Sequence, residues 1–458
     1  MHLCAYGAPV FTLILIALTA APRALPEAEV VTFVPRLDRT ADSVPFFKAA
    51  GTRVSMLRPE SWRDLTHPLV QFDPTSAESI KASGIDQTGS LTLSQRGELD
   101  VSCVTLSDVK AYETACEPRL KSHGDLTRIT IAGATVVSTK DQLGRVLLAY
   151  ALKGKISCAA TNHGLSLEKV LPELAKLVSA SKTPTEPGFK AAAELPGVMS
   201  VIRPSGAQSG AVSLTTNGLS ATLDAQTTGA ASSLTAKPGL SVFAQSKPAG
   251  LAVLRLRLTT AHLGEAMSSF LRRVPGGTAM QQQAEALGPL MTGNVLVFID
   301  RAEVTGSLGT DQARFRALKM AILIETTDGE AAKTALSTAP VNARKDAPRF
   351  GVTGALATFS NDETALSTAL ASVAAAPSKQ GHALEAIINP TMVARGLAQV
   401  PLLDAIQNPA LAGLLAAGTE LGPLLLASET LTGWADPTNV AGIHRAQLTW
   451  PLRADRFH

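Results

Sequence analysis

The sequence predicts an α+β fold of two pseudo-repeated units, each a mostly antiparallel sheet of hairpins packed with amphipathic helices. Three observations carry this: glycine-centred turns between alternating strands, helical segments that are apolar on one face, and a segment near residue 107 that recurs near residue 327 with its neighbours in order. A chain of 458 residues is also too long for one ordinary core. Apolar residues at 45% and charged residues at 17% describe a folding chain rather than a disordered one.

The first element is an export signal over residues 1–24. Val10 to Leu18 is an apolar run followed by small residues, which reads as the hydrophobic region ahead of a cleavage zone. The best cut follows Ala24, with Ala20 and Ala21 as alternatives, so the mature chain should begin near Leu25 and be periplasmic or secreted. An uncleaved anchor is the competing reading, although the run is shorter than the ~20 residues a span needs. The mature chain is expected to have no transmembrane span.

The two units are read as 27–237 and 239–452, with the Gly, Ser and Pro of Thr227 to Gly250 as the boundary. Ser107 to Cys116 reappears as Thr327 to Leu336, each opening with a hydroxyl cap and continuing as a helix after an apolar strand, Leu99 to Leu106 or Leu318 to Glu325. Upstream, Thr88-Gly89 matches Thr292-Gly293. Downstream, Ile131 to Ala134 is paired with Val352 to Ala355, Gly144 to Lys153 with Gly381 to Pro390, and Leu195 to Gln226 with Leu421 to Leu452. The segment Ser179 to Gly188 reads as a loop inside the first unit.

Hairpins can be written in register within this frame. A two-residue turn at Asn217-Gly218 puts Val212 and Leu214 on one face with Leu219, Ala221 and Leu223. Three-residue loops at Gln95-Arg96-Gly97 and Lys153-Gly154-Lys155 set Leu91 and Leu93 opposite Leu99 and Val101, and align Val146 to Leu152 with Ile156 and Cys158. Helices capped by Ser166 and beginning near Leu263 carry apolar residues at helical spacing, Leu167 to Val178 and Leu263 to Val274. Pro409 to Ala427 reads as a buried helix leading into a strand, because Gly413, Gly418, Glu420, Gly422 and Pro423 interrupt its apolar run. This duplicated order of strands and helices resembles exported bacterial proteins of unknown function with repeated antiparallel α+β units. The resemblance implies no activity and assigns no residue a role.

The net charge of +3 is spread through the chain and no basic tract is present, so nucleic acid is not an expected partner. Aromatic residues at 4% leave few rings for stacking on bases or sugars. Ser166 with Lys169 and Ser179 with Lys182 have the Ser-x-x-Lys spacing of serine acyl transfer, but the supporting Ser-Asp-Asn and Lys-Thr-Gly motifs are missing. His163 and His262 have no nameable partner. No catalytic, cofactor-binding or metal residue is assigned.

Removal of the signal, which contains Cys4, leaves Cys103, Cys116 and Cys158, enough for one disulfide. The repeat sets Cys103 against Leu323 and Cys116 against Leu336, so both read as core positions. A Cys103–Cys116 bond is feasible from rough strand and helix lengths, with Cys116–Cys158 its competitor. The expected function is an exported cell-envelope protein acting as a non-enzymatic binding or scaffolding body for a protein or envelope component. A periplasmic carrier of an apolar ligand or lipid is the alternative, and a serine hydrolase the third reading.

Overall fold

The computed structural model describes residues 22–457 apart from 63–65, 163–165, 181–183, 207, 229–233, 235–238, 248, 261–262, 264–284, 338–348 and 438–442. Residues 1–21 of the expected signal, His163, Lys182, His262 and most of the helix expected after Leu263 lie outside the described residues. The chain is a mixed α and β protein that divides into two compact units. Ala231–Arg453 forms one, and 22–230 with 454–457 forms the other.

The N-terminal unit runs β1 (Val30–Val34), α1 (Val44–Gly51), α2 (Ala77–Ala82), β2 (Leu91–Arg96), β3 (Leu99–Thr105) and α3 (Val109–Lys121). It continues with β4 (Asp125–Ile131), β5 (Ala134–Lys140), β6 (Val146–Lys153), β7 (Ile156–Asn162), α4 (Leu171–Ser179), α5 (Pro187–Glu194), β8 (Met199–Arg203), β9 (Gly210–Asn217) and β10 (Ser220–Thr228). Every pairing is antiparallel, in the order β10-β9-β8-β1-β2-β3-β7-β6-β5-β4. Helix α3 covers one face, where Tyr112, Cys116 and Leu120 pack with Leu91, Val104, Tyr150 and Ala159. Helix α4 covers the other face over β5, β6 and β7, burying Leu171, Leu174, Ala175, Leu177 and Val178. The cap of α3 is Asp108, which accepts from Lys110 N and Ala111 N, while the expected cap Ser107 donates to Ile85 O.

The hairpins close differently from the expected loops. Arg96 pairs with Leu99, Lys153 with Ile156 and Asn217 with Ser220, so each loop has two residues and begins at Gly97, Gly154 or Gly218. These glycines take φ of 56°, 59° and 57°. A left-handed first loop residue followed by an ordinary one is the tight turn whose twist matches the strands. The expected three-residue loops place Gly97 last and Gly154 in the middle, which moves each of those registers by an odd number and turns side chains to the wrong face. At Gly218 the shift is even, so Val212 and Leu214 keep the expected face.

That alternation decides the disulfide. Cys103 and Cys158 are direct cross-strand partners, with sulfurs 2.12 Å apart. Their neighbours Ser102, Val104, Ser157 and Ala159 point toward α3, so the two cysteines point toward α4. Cys116 projects from α3 on the opposite side and is a buried free thiol. The expected Cys103–Cys116 and Cys116–Cys158 pairings are therefore both wrong: the sheet itself separates Cys116 from the other two.

The C-terminal unit contains β11 (Gly239–Ser241), β12 (Ala252–Arg257), β13 (Met291–Ala302), α6 (Asp311–Ala317), β14 (Leu318–Thr326) and α7 (Gly329–Ser337). It continues with β15 (Arg349–Thr353), β16 (Leu356–Ser360), α8 (Glu363–Ala371), β17 (Ser378–Gln380), β18 (Leu384–Ile388), α9 (Pro390–Leu397), α10 (Leu402–Gln407), α11 (Pro409–Leu426), β19 (Leu431–Pro437) and β20 (Ile443–Pro451). Its antiparallel order is β20-β19-β18-β12-β13-β14-β16-β15, and β11 with β17 forms a separate ribbon. Ala332 of α7 packs with Val295, Ile324 and Ala357 on one face. Ala365 and Ala369 of α8 pack with Val253, Leu296, Phe298 and Leu323 on the other.

Helix α11 is half-buried rather than buried as expected. Leu411, Leu424 and Leu425 face the protein, whereas Leu414 and Leu426 are each 47% exposed, because only one side packs against α9 and α10. Among the described residues no helix is long and apolar enough to cross a membrane.

The cysteine arrangement sets a chemical expectation. Under non-reducing conditions iodoacetamide should modify Cys116 only after denaturation, and Cys103 and Cys158 only after reduction as well. Removing the Cys103–Cys158 bond, which closes a span of 55 residues, should cost about 3–4 kcal/mol in urea unfolding. Peptide mapping that finds Cys116 in a disulfide would refute the face assignment.

Candidate functional site

Antiparallel register in the C-terminal unit sets four polar side chains in one line. Arg255 of β12 is the direct partner of Glu385 on β18, Glu385 of Trp434 on β19, and Trp434 of Gln447 on β20. Direct partners share a face at intervals of about 4.8 Å, so the four form a row across the sheet. A second row on the same face, two residues along each strand, holds Val253, Ile387, Thr432 and Thr449. Between them lies an open cleft of about 280 Å³ whose lining includes Lys247 and His382.

The polar groups are mutually fixed. Arg255 Nη2 meets Glu385 Oε2 at 2.7 Å with the two side chains only 10% and 17% exposed. Such a pair must recover its desolvation cost through geometry and further hydrogen bonds. Glu385 Oε1 accepts from Gly381 N at 3.0 Å and His382 N at 3.1 Å, and Arg255 also donates to Ala244 O. The Nε of Arg255 is buried with no hydrogen-bond partner among the described residues. His382 stacks on the Trp434 ring, centroids 4.2 Å apart and planes 8° apart, and its Nδ1 is 2.7 Å from Asp436 Oδ2. Asp436 Oδ1 accepts from Ala383 N, and Trp434 Nε1 donates to Gln447 Oε1 at 3.1 Å. The indole is thereby held by an imidazole on one face and an amide at its edge.

The local fold explains why this patch is open. In the N-terminal unit, strands β8, β9 and β10 carry α5 over the face that holds Ser200 and Ser213. Ser213 donates to Pro196 O just past that helix, Gln226 bonds Glu194 at its end, and Gly188 lies against Arg203 and Pro204. In the C-terminal unit the stretch between α8 and β18 instead forms β17, paired with β11. No described helix lies over β18, β19 and β20 on the Trp434 face.

The residues weighed from sequence lie elsewhere. Ser166 Oγ accepts from Val146 N and Glu168 N, ahead of a helix that begins at Leu171 rather than at the expected Leu167. Ser179 Oγ donates to Ala175 O and accepts from Lys153 Nζ at 3.1 Å. Both serines thus act in turn and helix-end hydrogen bonding. Cys116 belongs to a buried node: His67 Nδ1 accepts from Leu69 N and Val70 N, which places the proton on Nε2, 3.1 Å from the Tyr112 hydroxyl. Ser157 Oγ also donates to Tyr112, and Tyr112 bonds the Cys116 thiol. Burial pushes that thiol up to about 12, leaving it inert rather than nucleophilic. Sequence reasoning missed both the node and the open row, since each joins residues far apart in the chain.

Comparison of the chain with protein-family models, with curated proteins and with solved structures finds no match. Among the described residues no group of three or more His, Cys, Asp or Glu is arranged to hold a metal ion.

The buried node should make the fold acid-sensitive. Burial, aided by Arg119, lowers the His67 pKa to about 3. In the unfolded chain it should titrate near ~6.5, so below that pH the unfolded state takes a proton that the folded state refuses. The contribution of His67 is therefore complete above pH ~6.5 and declines toward pH ~3, by about 2–3 kcal/mol at pH ~4.5. Urea melts at pH 7.5 and 4.5 should show this fall in the wild type and a smaller one in His67→Gln. Equal falls would place the acid sensitivity elsewhere.

Proposed function

We propose that the protein is an exported cell-envelope protein, built by duplication of one α+β unit, whose second copy binds a polar component at the Arg255–Gln447 row without catalysing a reaction. The observation that carries this reading is the row itself: a fixed Trp, Arg, Glu and Gln on a sheet face that has a helix over it in the other unit. The polar lining favours this reading over a carrier of an apolar ligand.

The duplication is supported by strand order. β10-β9-β8-β1-β2-β3-β7-β6 corresponds to β20-β19-β18-β12-β13-β14-β16-β15, with β4 and β5 as additions to the first copy. The helix caps agree as well: Asp328 accepts from Glu330 N at 2.9 Å and Ala331 N at 3.0 Å, as Asp108 does from Lys110 and Ala111. Leu106 N donates to Lys155 O and Thr326 N to Ala355 O, both at 2.8 Å. These bonds align the turn at Gly154, rather than that at Gly133, with Gly354. Strand order in turn favours aligning β18 with β8 rather than with β6. On this frame α9, α10 and α11 are an insertion in the second copy.

Export is supported by the apolar run Val10 to Leu18 and by the Cys103–Cys158 pair, a bond that persists in oxidising compartments. Fractionation and N-terminal sequencing should return a chain outside the cytoplasm beginning near Leu25. Protein immobilised on beads and exposed to envelope extract should retain a component that folded Trp434→Ala does not. A cytosolic chain would contradict export, and equal retention by Trp434→Ala would remove the row from the binding reading.

A further inference from the structure

Resting on the reading of the row as a binding face, we propose that it is a single-sugar subsite for an uncharged pyranose unit of an envelope glycan. The composition of the chain argues against sugar binding. The placement of one of its three tryptophans argues for it.

Size comes first. A cleft of about 280 Å³ falls at the lower edge of the ~300–1,000 Å³ usual for drug-sized ligands, so it suits one ring rather than a lipid chain or a folded peptide. Charge comes next. The charged residues in its lining are Lys247, Arg255 and Glu385, and Arg255 is already closed on Glu385, so the cleft offers a phosphate or carboxylate one lysine and no open guanidinium fork.

The floor then excludes strand addition. β18 is paired on both sides by β12 and β19, and β19 by β18 and β20, so no backbone edge is available to an extended peptide. What remains is a ligand with a flat apolar face and a rim of hydroxyls, which is the shape of a pyranose. His382 occupies the Trp434 face on the Asp436 side, so the other face looks along β19 toward Thr432 and Thr449. A sugar ring laid on that face would lie beside the planar Glu385 carboxylate and Gln447 amide, spaced as the strands are, with Arg255 holding Glu385 in place.

The test is calorimetric titration of the full mature chain with maltotriose, cellotriose and chitotriose, with trialanine and glucose 6-phosphate as controls. At least one uncharged trisaccharide should bind, with affinity reduced more than ~10-fold in Trp434→Ala and less than ~3-fold in Trp434→Phe, since phenylalanine keeps a ring to stack on. Near-ultraviolet dichroism and melting temperature would establish that both variants fold. Absence of binding by all three trisaccharides, or binding that Trp434→Ala leaves unchanged, overturns the sugar assignment. Row-dependent binding of trialanine or glucose 6-phosphate alone overturns the sugar while leaving the row a binding face. If no probe binds and envelope extract gives no Trp434-dependent retention, the binding reading fails too.

Discussion

Alternation of side chains across a strand governs most of this structure. A sheet with both faces apolar needs two covers, and each unit supplies them from the helices that connect its strands: α3 and α4 in the first, α7 and α8 in the second. Residues one apart in a strand therefore belong to different cores. The same rule places the disulfide on the α4 face of the first sheet and the His67–Tyr112–Ser157–Cys116 node on the α3 face. Where no described helix covers a strand face, its side chains must pair with one another or be compatible with water. That is the condition of the Arg255–Glu385–Trp434–Gln447 row.

The contrast between the two units gives the row its meaning. Ser200 and Ser213 are fully buried beneath α5. On the proposed alignment Glu385 and Trp434 stand at those positions, neither of them fully buried. A large aromatic and a paired charge are poor choices for a face destined for a helix, and good ones for a face that meets a ligand. The cost of holding Arg255 and Glu385 largely out of water is offset by the backbone donors of Gly381 and His382. Those donors exist because the segment before β18 turns tightly there instead of forming a helix.

Much of the fold was legible in the sequence because hairpins and amphipathic helices are local signals. The strands about Gly97, Gly154 and Gly218 were found, and their register was missed, because a glycine marks a turn without stating its position in the loop. Cys103 and Cys116 were placed at one level of the sandwich, but a strand apolar on both faces conceals which way each residue points. The row was not legible from spacing, since its members at 255, 385, 434 and 447 are brought together only by register. One local signal did exist: Thr432, Trp434 and Asp436 alternate with Leu431, Gly433 and Ala435, the pattern of a strand with one polar face.

Solvent access to the Trp434 ring tests the central claim most directly. A protein with Trp62 and Trp450 replaced by Phe reports on Trp434 alone, and one with Trp434 and Trp450 replaced reports on Trp62, which is 3% exposed. Acrylamide should quench Trp434 several-fold more efficiently than Trp62, with emission at longer wavelength, because one indole face borders the cleft. Quenching of Trp434 as weak as that of Trp62 would mean that the face is covered, and the account of an open binding row would not stand.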